Sequence, residues 1–253
     1  MDEKRRFRQR LKDFDLTLPE SKREYNRMLF TPVAQVYSGI TRVLSFGRDA
    51  AWKEKLVSLL PEIPEPRILD LACGPGDLSF LLALRYPSAR IQGIDLNTDM
   101  LDRAASNLAR MPGKIQERIN FSPGDMNELP FKDGEFDIIS GGYALRNSPD
   151  LGRLLDEIHR MLKPGGYGAF LDFSRSSRKG LGRLQIGLLS FWGRLWGRVY
   201  HGNPEVYGYI AESLKSFPDQ AEFLRLLESR GFSPLQYLPR MFGMLRITVI
   251  RKN

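Results

Sequence analysis

The stretch "RILDLACGPGDLS", residues 67–79, decides the fold. Ile68, Leu69 and Leu71 make an apolar run interrupted only by Asp70, which reads as a strand buried on both faces. The run enters a turn framed by Gly74 and Gly76, and Asp77 opens a helix expected from Leu78 to about Arg85. In an open parallel sheet, such a strand–turn–helix unit holds a nucleotide-like ligand beyond the carboxyl ends of the strands. On this reading Gly74 and Gly76 admit close approach of the ligand to the backbone, and Asp70 stands just behind them.

Outward from that unit, strands alternate with helices. "RIQGIDL" (90–96), "INFSPGD" (119–125), "FDIISGGY" (136–143) and "GYGAFLDFS" read as further strands. "TDMLDRAASNLARM" places Met100, Leu101, Ala104, Leu108 and Met111 at helical spacing, with Thr98 as the expected cap and Asp99 in the first turn. "DLGRLLDEIHRMLK" reads as a helix closed by Pro164-Gly165-Gly166. The tail "PLQYLPRMFGMLRITVIRK" holds two strand-like runs with no helix between them, so an antiparallel hairpin should close the sheet. The expected architecture is α/β: a doubly wound, mostly parallel, seven-stranded Rossmann-like sheet with helical caps. Residues 1–66 form an N-terminal helical cap, and residues 67–253 form the ligand-binding domain, with an insertion at 178–217 as a lid.

The acids of the turn speak to the ligand. A nicotinamide dinucleotide would seat its pyrophosphate at the helix start, where Asp77 stands and Asp70 adds a second charge nearby. S-adenosylmethionine carries a sulfonium and an ammonium and no phosphate, so it suits these carboxylates better. Asp95 ends the second strand, where an acid accepts from both ribose hydroxyls of either cofactor. Asp125 ends the third and can accept from the adenine amino group, with the Met126 amide reading a ring nitrogen. Three acids at three successive strand ends point to S-adenosylmethionine.

Composition narrows the remaining classes. No apolar run approaches the ~18 residues of a membrane span, and the charged start "MDEKRRFRQRLKDFD" has no signal-peptide core. A single cysteine, Cys73, precludes an internal disulfide and suits the cytoplasm. With two distant histidines it makes no metal site. The formal charge of +8 fits either a soluble basic surface or an anionic partner. Nucleic acid is disfavoured: "GGYALRN" stands where amino-methylating enzymes carry Asn/Asp-Pro-Pro-aromatic, and Cys73 is in the turn rather than placed as a nucleophile.

"LDLACGPGD", "GIDL", "GDMNELPFKDGEFDII" and "MLKPGG" together resemble the ordered motifs of class I S-adenosylmethionine-dependent methyltransferases over about residues 66–174. "VLSFGRDAAWK" (43–53), "YALRNSPD" (143–150), "LDFS" (171–174) and "YGYIAESLKSFPDQAEFLRLLESRGF" (207–232) extend the resemblance to the ubiquinone/menaquinone biosynthesis C-methyltransferases, the UbiE type. That resemblance implies a cofactor site of Asp70, Gly74, Gly76, Asp95, Leu96, Asp125, Met126 and Gly142. It also implies methyl transfer to a ring carbon of a prenylated quinol, benzoquinol or naphthoquinol. Arg146 is the expected electrostatic stabiliser of the phenolate, since arginine is too weak an acid to serve as a base. Asn147 would orient the ring oxygen, and Tyr209 lies in the cap placed over the substrate.

Several residues carry two readings. Tyr143 packs beside a ligand ring or in the core, and Tyr207 contacts substrate or packs. Asp172 is a base or a turn cap, His201 is a candidate base, and His159 reads as structural. In "LGRLQIGLLSFWGRLWGRVY" (181–200), Leu181, Leu184, Leu188, Trp192, Leu195 and Val199 share a helical face, with Arg183, Arg194 and Arg198 outside it. This helix would be a lid that admits a lipid tail and touches the inner face of an anionic membrane, or it packs on the core or on a second subunit of a homodimer. Departures from the family pattern are Tyr37-Ser38 for its tyrosine–aspartate, Pro75 for threonine in the turn, and no histidine near the C-terminus, which leave another lipid or a natural-product small molecule as the alternative acceptor.

Overall fold

In the computed structural model, which describes residues 11–253 apart from the Lys12 side chain, seven strands form one sheet. They are β1 (Arg67–Leu71), β2 (Arg90–Asp95), β3 (Ile119–Pro123), β4 (Phe136–Gly142), β5 (Leu162–Phe173), β6 (Phe232–Arg240) and β7 (Leu245–Lys252). Their spatial order is β3-β2-β1-β4-β5-β7-β6. The first five run parallel, and β7 lies antiparallel between β5 and β6. The order reverses direction at β1 and β4, so the crevice beyond their carboxyl ends is the switch point where such sheets bind ligands.

Helices α4 (Asp77–Arg85), α5 (Thr98–Leu108), the single-turn α6 (Gly113–Gln116), α7 (Leu151–Met161) and α10 (Gln220–Ser229) connect the strands. Helices α1 (Pro19–Ala34), α2 (Tyr37–Leu44) and α3 (Asp49–Ser58) precede the sheet, and α8 (Lys179–His201) and α9 (Glu205–Ser216) follow β5. The first ten residues of the expected N-terminal cap lie outside the described residues. Trp52 and Leu56 of α3 belong to the core under the sheet, with Leu69, Ile138 and Leu171. Tyr25, Leu29 and Val33 of α1 instead form a second core with Ile40 of α2 and Val206, Tyr207 and Tyr209 of α9. The segments before and after the central sheet therefore meet each other above its crevice.

Local details depart from the sequence reading. Asn97, not Thr98, caps α5, its Oδ1 accepting from the Met100 N–H at 3.0 Å. Helix α7 stops at Met161, and Leu162 is already extended and paired with Phe136, so Pro164-Gly165-Gly166 lies within β5. The pull of the sheet on Leu162 ends the helix before the proline acts. Asp70, expected at the cofactor, is wholly buried behind β1: Ser79 Oγ donates to one carboxylate oxygen at 2.6 Å and Ser140 Oγ to the other at 2.8 Å. It braces β1 against α4 and β4. Gly76 adopts φ +90°, and a Cβ there would lie 2.8 Å from the Phe80 ring and 2.9 Å from Phe121. Its bareness accommodates that aromatic pair.

Helix α8 lies on α9 through glycines. A Cβ at Gly193 would sit 2.3 Å from the Tyr207 carbonyl oxygen, and one at Gly197 2.6 Å from that of Asn203. Backbone cannot yield as a side chain would, so Gly193→Ala should destabilise the protein by about 1–3 kcal/mol. Thermal melting should fall by about 2–12 °C. Gly187, with nothing within 4 Å of its Cβ position, is the control: Gly187→Ala should hold or raise the midpoint through helix propensity.

Candidate active site

A cleft opens over the switch point. Its floor comes from the loops after β1, β2, β3 and β4: Ala72, Gly74, Asp95, Leu96, Gly124, Asp125, Met126 and Gly142 all line it. Its roof comes from α1, α2 and α9, through Asn26, Phe30, Val33, Ile40, Leu44, Tyr207 and Tyr209. Of the residues singled out in the sequence, the cleft collects Gly74, Asp95, Leu96, Asp125, Met126, Gly142, Tyr143, Arg146, Asn147, Tyr207 and Tyr209. Asp70 and Gly76 are outside its lining.

The floor is built for a polar ligand. Gly74 has φ +54° and open space where its Cβ would be, so the backbone itself faces the cleft. Ala72 (φ 48°) and Tyr143 (φ 60°) hold left-handed conformations just past β1 and β4. Such strain costs about 1–3 kcal/mol per residue and clusters at ligand sites. Asp95 accepts from the Gly74 N–H at 2.8 Å and the Asn97 N–H at 2.9 Å. Burial raises its pKa to about 6 against those two hydrogen bonds. Asp125 accepts from Arg23 Nε at 2.6 Å and from the Asn127 N–H at 2.9 Å.

The charge argument drawn from Asp77 needs correction. Lys53, almost fully buried, reaches both Asp77 (3.0 Å) and Asp49 (2.7 Å). Asp49 in turn accepts from the Tyr143 hydroxyl at 2.6 Å. Asp77 is thus neutralised by a lysine 24 positions earlier in the chain and is not a bare charge at the helix start.

Arg146 lies on a 3₁₀ turn, Leu145–Asn147, directly after the Tyr143 strain. Its guanidinium sits 5.4 Å from the Phe173 ring and 5.6 Å from that of Tyr209, and it donates to Ser213 Oγ. Asp172 stands behind it: the carboxylate accepts from the Arg146 N–H at 3.0 Å and lies 3.7 Å from Nε. Asp172 does not line the cleft, so it anchors Arg146 and is not placed to act as a base. Burial raises its carboxyl, opposed by Arg146. His201 is likewise removed from the cleft, its Nε2 within 2.8 Å of the Tyr207 hydroxyl. His159 packs edge-on against Phe232, at the far end of the sheet.

The turn is clamped from α1, which the sequence reading missed. Lys22 Nζ donates to the carbonyls of Arg146 (3.0 Å) and Ser148 (2.7 Å), and Asn26 Nδ2 donates to that of Asn147 (2.8 Å). Burial brings Lys22 down to about 8. Arg23, Asn26, Phe30 and Val33 recur at 3–4-residue spacing along the cleft, a helical signal that could have been read in the sequence. Asn26 Oδ1, Arg146 Nε, Asn147 Oδ1 and the Tyr209 hydroxyl are buried without a protein hydrogen-bond partner. Buried polar atoms are nearly always satisfied; all four of these belong to residues that line the cleft, Arg146 Nε facing Asp172 at 3.7 Å.

A seven-stranded sheet of this order, with a glycine turn, strand-end acids and a roofed cleft, defines a class I methyltransferase. Within that class the chain belongs to the ubiE/COQ5 methyltransferase family, which residues 19–252 match. It is 35% identical over 226 residues to a 2-phytyl-1,4-naphtoquinone methyltransferase of Nostoc punctiforme, covering 88% of this chain and 96% of that one. A demethylmenaquinone methyltransferase of Symbiobacterium thermophilum is 32% identical over 244 residues, covering 93% and 95%. Among solved structures, a SAM-dependent methyltransferase from Aquifex aeolicus superposes with a TM-score of 0.58 at 16% identity, over 85% of this chain and 98% of that one. The last likeness concerns the fold.

Proposed function

We propose that this enzyme uses S-adenosylmethionine to methylate a ring carbon of an isoprenoid-tailed naphthoquinol in the making of a menaquinone-like quinone. The acceptor class follows the two relatives, a 2-phytyl-1,4-naphtoquinone methyltransferase and a demethylmenaquinone methyltransferase. The observation that carries the reaction is the buried Arg146 on the cleft wall beside unpartnered Asn147 and Tyr209 atoms.

The floor fits the cofactor. Asp95 would accept from the ribose hydroxyls, Asp125 and Met126 would meet the adenine, and Gly74 and Gly142 would clear the backbone for the methionyl part. The cofactor supplies an electrophilic methyl group. The protein's task is to make the ring carbon nucleophilic, which requires an ionised phenol. Arg146 holds its cation where the oxyanion forms and favours it. Asn147, whose Nδ2 is committed to the Tyr143 carbonyl at 2.9 Å, orients the ring through its surroundings. Burial pushes the Tyr209 hydroxyl up to about 12, so it stays protonated and acts as a donor. Phe30, Val33, Ile40 and Leu44 offer an apolar wall for the isoprenoid tail. The ring carbon gains the methyl group as the methyl–sulfur bond breaks with its electron pair left on sulfur, and the ring then loses the proton from that carbon to solvent. On this reading the enzyme works on the cytoplasmic side of the membrane that dissolves its acceptor.

The test is transfer of labelled methyl from S-adenosylmethionine to reduced demethylmenaquinone and to the corresponding polyprenyl benzoquinol. Label on the naphthoquinol ring carbon, well above the benzoquinol, is the expected result. Confirmed cofactor binding with no transfer to either acceptor would overturn the reading.

A further inference from the structure

Helix α8 is built inside out. Its buried face is mostly small or polar, Gly182, Gln185, Gly193, Gly197 and His201 with Leu189 as the one large apolar side chain, while Leu184, Leu188, Phe191 and Val199 are 58%, 51%, 68% and 62% exposed. Leu181 and Leu195 continue the same stripe at spacings of three and four residues. The exposed aromatic is Phe191, one position from the expected Trp192. Trp192 turns half inward and stacks on Phe46 at 5.2 Å. Phe46 is itself 65% exposed and directly follows Leu44 and Ser45, which line the cleft. The outward apolar surface therefore runs from α8 to the edge of the cleft.

Charge surrounds this stripe with one sign. Arg178, Lys179, Arg183, Arg194 and Arg198 are all exposed, and the chain from Phe173 to Pro204 contains no aspartate or glutamate. Among the described residues, no helix is long and apolar enough to cross a membrane. An outward apolar stripe between rows of cations is the pattern of a helix lying in the plane of an anionic bilayer. A second copy of this chain docked face to face would instead oppose these cations to their own kind.

We propose that α8, with Phe46, is the surface by which the enzyme docks on an anionic lipid bilayer, setting the cleft edge at the membrane. Leucines and Phe191 enter the acyl boundary, and the arginines meet lipid phosphates. Each basic residue near such a surface strengthens binding about fivefold. The inference rests on the proposed lipophilic acceptor for its purpose alone, and the binding test below reads it without any methyl transfer.

The full chain would be floated with vesicles of phosphatidylcholine containing about one-third phosphatidylglycerol, and with phosphatidylcholine alone, at low and high salt. The wild type should float with the anionic vesicles and lose at least about tenfold in partition without the anionic lipid or at high salt. Leu184→Glu/Leu188→Glu and Arg194→Glu/Arg198→Glu should each weaken binding by a similar factor. Both should keep the wild-type melting midpoint and the wild-type rate on a tail-less quinol. Flotation of the leucine variant equal to wild type overturns the proposal, as does a wild type that stays with the soluble fraction. So does a dimer in solution that Leu184→Glu/Leu188→Glu splits, which would assign the face to a second copy.

Discussion

Replacing Arg146 by methionine should lower turnover about a hundredfold while leaving cofactor affinity within about threefold. The size comes from the acceptor's ionisation. A phenol with pKa near ~10 is roughly one part in a thousand phenolate at neutral pH. An opposite charge within hydrogen-bond reach lowers such a pKa by about 1–3 units. A two-unit shift brings the ionised fraction to about a tenth, and removing the cation forfeits that gain. A second signature follows: the variant's rate should keep rising with pH toward ~10, where the wild type has levelled off. Methionine at 146 also strands Asp172, buried and bonded to the backbone N–H groups of Arg146 and Phe173. An unpaired buried carboxylate costs about 3–5 kcal/mol, so loss of activity alone could report loss of fold. Arg146→Met/Asp172→Asn removes that charge and keeps one acceptor oxygen for the two N–H groups, which sit on different oxygens of Asp172, a smaller penalty than a stranded carboxylate. A folded double variant with wild-type turnover would remove Arg146 from the chemistry. Arg146→Lys separates charge from shape. Lysine offers a compact ammonium in place of the planar guanidinium that sits near the Phe173 and Tyr209 rings, so partial recovery is expected.

The same residues show what a sequence makes visible. Strand–helix alternation is a local pattern, so β1 through β5 and their order of appearance could be read directly, as could the strand-end acids Asp95 and Asp125. Antiparallel closure by β6 and β7 followed from the lack of a helix between two apolar runs. What could not be read depends on who is opposite whom. Asp77 looks like an exposed charge at a helix start until Lys53 is folded against it. Gly76 looks like ligand clearance until Phe80 and Phe121 occupy the space. Asp70 looks like a site acid until Ser79 and Ser140 take both its oxygens. Each is completed by a partner from elsewhere in the chain, Lys53, Phe121 or Ser140, that leaves no local signature. The clamp on Arg146 by Lys22 and Asn26, more than 120 positions earlier, is of the same kind. Helix α8 is a different case. Its stripe was legible and its orientation was not, because apolar periodicity says which residues share a face and not whether that face turns inward. The glycines at 193 and 197 mark the inward face: a close helix contact needs small residues there, whereas Gly187 stands in open space and carries no such information.

Asp95→Asn should weaken binding of S-adenosylmethionine by about 30- to 1000-fold and leave the rate at saturating cofactor within a few-fold. The carboxylate ties the Gly74 and Asn97 N–H groups together from one side and keeps lone pairs for two ribose hydroxyls. Hydrogen bonds to a charged acceptor contribute about 1.5–3 kcal/mol each. Asparagine keeps one oxygen but turns an N–H₂ toward a backbone donor, so it loses one tie and the charge together. The effect should appear in pH dependence as well. Burial raises Asp95 in the free protein to about 6, and the form that accepts from both hydroxyls is the ionised one. Cofactor binding therefore pulls the pKa down, and affinity is full above pH ~6. Below that value the free protein holds a proton that binding must expel, so affinity should fall about tenfold per pH unit. Equilibrium dialysis or calorimetry across this range should show the break in the wild type and a flat profile in Asp95→Asn. An unchanged affinity in the variant would move the ribose elsewhere in the cleft. A break near pH 6 that survives the substitution would pass the titration to another group, and the role of Asp95 would shrink to holding the Gly74 turn.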